Sequence, residues 1–102
     1  MLDHVRAQEA AIADVCRRYA VARLDLFGSA AAGSFDPGRS DLDFLVAFYP
    51  HPTLSRFDQY FGLREALEAL FGHPVDLVMV DAMRNPYFIE SVNASRQSLY
   101  AG

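Results

Sequence analysis

A chain of 102 residues is long enough for one core and too short for two, so a single domain spanning 1–102 is expected. Its formal charge of −4, with nine scattered arginines as the whole basic complement, lacks the dense positive patch that a nucleic-acid surface requires. No apolar run is long enough to cross a bilayer, the N-terminus has no apolar signal core, and Cys16 has no second cysteine to pair with; a soluble cytoplasmic protein is the expectation.

In chain order, Leu2, Val5, Ile12, Val15, Cys16 and Tyr19 recur at helical steps and predict one packing helix over residues 2–20. His4, at its start, has no His or Cys neighbour and reads as a solvated polar residue. Residues 23–28 predict a strand, with Leu24 and Leu26 on one face and Asp25 and Phe27 on the other. Gly28 ends it. The small residues Ser29 to Gly33 predict a short helical turn capped by Ser29, and residues 34–38 an exposed loop.

Residues 41–48 predict a second strand, apolar on both faces after its two aspartates, as a central strand should be. The prolines Pro50 and Pro52 end it. A helix follows from about Leu54 to Phe71, opened by a Ser55–Asp58 capping box and closed by Gly72. Its predicted apolar stripe is Phe57, Tyr60, Phe61, Leu67, Leu70 and Phe71. Residues 75–80 predict a third strand with one acid, Asp76. Asn85-Pro86 caps a closing helix expected to run to about Tyr100. This order predicts an α/β (α+β) sandwich, a small sheet covered by helices.

The chemistry concentrates in residues 24–48. Asp41 and Asp43 share a strand face with Cα atoms roughly 6.6 Å apart, so their carboxylates can converge on a hard divalent cation. Gly28-Ser29 can present backbone N–H groups and a hydroxyl to a phosphate. Asp76 can reach the same place from a neighbouring strand, as a third ligand or as a base. Taken singly these signals are weak: Gly-Ser is usually a turn, and an isolated Asp-x-Asp is more often a solvated strand edge. Their combination points to phosphoryl or nucleotidyl transfer.

Gly28-Ser29, then Ser40-Asp41-Leu42-Asp43-Phe44-Leu45-Val46, then Val75-Asp76-Leu77-Val78 resembles the nucleotidyltransferase superfamily that includes DNA polymerase β. The short length and compact motif resemble its minimal nucleotidyltransferase branch. That resemblance implies a nucleotidyltransferase fold with a small mixed β-sheet flanked by helices. It implies Mg²⁺-dependent transfer of a nucleoside monophosphate to a hydroxyl, with ATP as substrate. Asp41, Asp43 and Asp76 become metal ligands and catalytic acids, and Gly28, Ser29 and Ser40 nucleotide contacts. Many such proteins are antitoxins paired with a HEPN-domain ribonuclease, which implies adenylylation of a tyrosine on that toxin. Relatives commonly carry an arginine just before the second glycine. Here Ala32 precedes Gly33, and Arg39 and Arg23 are the nearby candidates to replace that charge.

Three functions stay open on the sequence: a protein adenylyltransferase, an antitoxin acting by contact alone, and a small-molecule nucleotidyltransferase. The chain is short for the third, which needs room to hold a sugar acceptor. The aromatic surplus of Phe57, Tyr60, Phe61, Tyr87, Phe88 and Tyr100 is compatible with a partner or homodimer interface, although core packing is the commoner use.

Overall fold

The alternating apolar stretches assemble into a sheet of four strands, ordered β3-β2-β1-β4. The computed structural model describes residues 2–34, 36, 38 and 41–102. Strand β1 (Val21–Phe27) lies antiparallel to β2 (Leu42–Phe48) on one side and to β4 (Gln97–Ala101) on the other. Strand β3 (Val75–Met79) runs parallel to β2. A parallel pair needs a crossover, and helix α4 (Arg56–Phe71) supplies it. The sheet is mixed, small and helix-flanked, as expected.

One face carries most of the core. Leu24 and Leu26 of β1, Leu42, Phe44 and Val46 of β2, and Val75 and Leu77 of β3 are buried against helices on that side. The helices contribute Val5, Ile12 and Cys16, together with Leu63 and Leu67 from α4. Burial pushes the Cys16 thiol up to about 12, which makes it an inert packing group. Helix α4 begins where predicted: the Ser55 hydroxyl accepts the Asp58 N–H at 3.1 Å, and Gly72 closes it in the left-handed region. Gly62 lets this helix approach the Tyr19 ring, since a β-carbon there would overlap it. Buried Gln59 donates through Nε2 to the carbonyls of Tyr19 and Tyr49, both at 2.9 Å, and so ties α4 to a helix end and a strand end.

Three expectations change. The first helix is two, α1 (Leu2–Arg6) and α2 (Glu9–Arg18), with the chain turning at Ala7 and Gln8. The turn lets Val5, Ile12 and Cys16 all reach the same core. The closing helix α5 (Pro86–Ser95), capped by Asn85 as predicted, stops at Ser95, and the chain then extends as β4. Leu99 is therefore a strand residue; pairing with β1 overrides the local helical pattern. Finally, Phe57 and Phe61 do not belong to the buried side of α4. Phe57 is 69% exposed, and the inward positions are Gln59, Leu63 and Leu67.

The opposite face is thinner. Phe27, Leu45 and Val92 form a small cluster beneath α5, joined by Val78, Val80 and Met83. Phe88 of α5 meets Phe27 edge-on, with ring centroids 6.0 Å apart. Among the described residues, no helix is long and apolar enough to cross a membrane.

Candidate active site

Two acids, Asp43 and Asp76, meet at one end of that thinner face, with Asp41 at its margin. Side chains alternate along a strand, so Asp43 falls on the face opposite Phe44. The parallel register of β2 and β3 sets Asp43 directly beside Asp76, and the antiparallel register sets it opposite Phe27. Neighbouring strands lie about 4.8 Å apart, so the two carboxylates are neighbours despite their separation in sequence. Asp41 is exposed and sits one residue before β2, where the Leu42 N–H donates to the Pro74 carbonyl at 3.1 Å.

The electrostatics record this crowding. The Asp43 carboxyl is raised from 3.8 to about 6, first by burial and then by the negative charges of Asp76 and Asp41. Among the described residues, no three metal-ligating side chains form a ready-made cage. A partly open set of hard oxygen donors carrying unbalanced negative charge is nevertheless what a divalent cation completed by water and phosphate oxygens needs. The donor chemistry fits such an ion.

Gly28 forms the other wall. Its φ of 72° and ψ of −152° place it in a region that essentially only glycine occupies. A β-carbon at Gly28 would overlap Asp43 Oδ2, so the missing side chain makes room for the carboxylate. The turn continues into helix α3 (Ser29–Ala32), with Gly28 itself at the cap position and no side-chain cap. Ser29 is thus the first helical residue rather than the cap expected for it. The first turn of any helix leaves N–H groups without an intrahelical acceptor, here those of Ser29, Ala30 and Ala31. The Gly28 N–H is engaged elsewhere: it donates to Ser95 Oγ at 2.9 Å.

The structure thus brings together Asp43, Asp76 and Gly28, with Asp41 and Ser29 at the margin. Ser40 lies outside the described residues, and so does Arg39, one candidate for the missing positive charge. Arg23, the other candidate, donates through Nε to Asp25 at 3.2 Å, well back along β1 from the Gly28 turn. The cluster of Asp25, Arg96 and Ser95 was not legible as part of the site. Asp25 is fully buried and ion-paired to both Arg23 and Arg96. Its one sequence signal is a lone acid inside an apolar strand, which calls for a buried partner.

A groove of about 270 Å³ lined by Arg56, Phe57, Tyr60, Phe61 and Met79 lies elsewhere. Met79 is three register positions beyond Asp76 and packs on the α4 side of the sheet, so this groove is separate from the carboxylates.

Residues 9–99 match the family model described as a nucleotidyltransferase domain. A Methanocaldococcus jannaschii protein, provisionally named protein adenylyltransferase MJ0128, is 39% identical over 75 residues, covering 74% of this chain and 72% of that one. A solved structure provisionally described as a minimal nucleotidyltransferase superposes with a TM-score of 0.73 at 33% identity, over 94% of this chain and 93% of the other. A chain from the solved complex of a tri-AMPylated Shewanella oneidensis HEPN toxin with its MNT antitoxin shares the fold. Its TM-score is 0.64 at 20% identity, over 96% of this chain and 73% of that one.

Proposed function

The chain belongs to the nucleotidyltransferase domain family, and from that premise we propose that it transfers AMP from ATP to a hydroxyl of a protein partner. The observation that carries this reading is the register that sets Asp43 beside Asp76 and against the side-chain-free Gly28. The acceptor class is supported by the protein-adenylyltransferase relative, and a HEPN-type toxin as that partner by the fold-neighbour complex with its AMPylated toxin; a tyrosine hydroxyl on it is our assignment. The exposed aromatics Phe57 and Tyr87 suit a protein that meets another protein.

Asp41, Asp43 and Asp76 are the residues to hold Mg²⁺, which when bound supplies positive charge to neutralise the triphosphate and the transition state. The first turn of α3 and the Ser29 hydroxyl orient phosphate oxygens, and Ser40 is assigned the same task. The acceptor oxygen attacks the α-phosphorus while the bond to the bridging oxygen breaks and pyrophosphate departs. Asp76, the most exposed of the sheet-borne acids, takes the acceptor's proton or completes the ligand set.

Incubation with labelled ATP, Mg²⁺ and the product of the neighbouring gene tests this. The expected outcome is covalent label on that partner, reduced about a thousand-fold or more in Asp41→Asn/Asp43→Asn. A second reading, neutralisation by contact alone, is favoured by the uncharged Ala30-Ala31-Ala32 turn. Toxin neutralisation that persists in the double variant, with no label transferred by the wild type, would establish it instead.

A further inference from the structure

We infer that Ser95 is a positioning residue for nucleotidyl transfer, holding the Gly28 turn against Asp43 and itself held by the buried Asp25–Arg96 ion pair. The inference rests on the activity proposed above.

The β1–β4 ladder explains the arrangement. Leu26 pairs with Gln97, and the same register carried on past Phe27 and Arg96 would set Gly28 opposite Ser95. At Ser95, however, the chain is still helix α5. Its backbone is helical there, and the ladder itself ends at the Leu26–Gln97 pair. The side-chain hydroxyl takes over instead, accepting the Gly28 N–H at 2.9 Å. A side-chain acceptor thus extends the sheet by one hydrogen bond, at the residue whose backbone faces the Asp43 carboxylate.

One hydrogen bond fixes a turn only if its acceptor is fixed. The next residue, Arg96, marks the end of α5 and bonds Asp25 through Nε and Asn93 through Nη1, the latter at 3.0 Å. Asp25 is fully buried on β1, and Arg23 satisfies its other oxygen at 3.2 Å. The α5–β4 corner is therefore anchored to β1 twice, at Asp25 and at Gly28. A surface ion pair would anchor little; a buried carboxylate bonded on both oxygens leaves its partners few alternatives. The anchoring matters because Gly28 adopts a conformation with little intrinsic preference. Freed from Ser95, the turn has other geometries, and with it move the first-turn N–H groups of α3 and the space that receives Asp43.

Ser95→Ala and Ser95→Thr separate this role from general packing. Ser95 is only half-buried, so the alanine variant is expected to fold. Loss of one hydrogen bond predicts a kcat about ten-fold lower in Ser95→Ala, with KM for the protein acceptor unchanged. Ser95→Thr, which keeps the hydroxyl, is expected to recover most of the rate. Amide exchange at Gly28, followed by NMR, should accelerate in the alanine variant and stay slow in the threonine variant. Equal kcat in Ser95→Ala and wild type would overturn the inference, as would a threonine variant no better than alanine. If the wild type transfers no label at all, the proposed activity fails. Gly28 exchange then still decides the clamp: unchanged protection in Ser95→Ala removes it, and lost protection retains it.

Discussion

The two faces of the sheet divide the work. Beneath α1, α2 and α4, strand residues are buried without charge, from Leu24 and Leu26 through Phe44 to Leu77. Beneath α5 the apolar cluster is small, and the same strands present Asp25, Asp43 and Asp76 there. Period two makes this economical, because each strand serves both faces. The lesson is that one face can carry destabilising charge because the other already holds the domain together.

That contrast breaks most strongly on the core side. Leu67→Ala deletes a fully buried side chain and is expected to cost about 2–5 kcal/mol, measured by denaturant unfolding. A loss below 1 kcal/mol would mean that the α4 face is not the main core.

On the site face the expected sign reverses. Native Asp43 holds its proton more tightly than the unfolded chain does, so this residue makes stability fall as pH rises from 3.8 to about 6. Asp43→Asn should therefore raise the thermal midpoint of metal-free protein above about pH 6.5, and the gain should vanish near pH 4. A midpoint at neutral pH that is unchanged or lower contradicts the crowding of the three acids. The smallest effect belongs to neither face. Phe57→Ser on the exposed side of α4 should leave stability within about 0.5 kcal/mol by the same unfolding measurement.

What the sequence disclosed follows the same division. Local signals sufficed for the Ser55 cap, the Gly72 stop, the Asn85-Pro86 start and the three longest apolar runs, because each is decided by neighbouring residues. Strand β4 was hidden: QSLYA follows a helix with no Gly or Pro between them, and only pairing with β1 makes it extended. The aromatics of α4 misled for a related reason, since the Phe57 and Phe61 rings pack against each other, tilted, with centroids 4.5 Å apart, rather than enter the core. At the site, the acids could be named but not their adjacency. That Asp76 neighbours Asp43 is a fact of parallel register, and that Gly28 is bound to Ser95 depends on where α5 stops. Asp25 sat in plain view among apolar residues; its partner, Arg96, lay in a segment expected to be helical.

The space at Gly28 has a consequence for heredity. The region that would receive a β-carbon at position 28 already contains the Asp43 carboxylate, so the two positions draw on one volume. A descendant that acquires a side chain at 28 must strain a backbone whose φ is 72° and also move or surrender the carboxylate at 43, so an acid kept in its present place favours glycine at 28. The two sites are thus a single inherited character written fifteen residues apart.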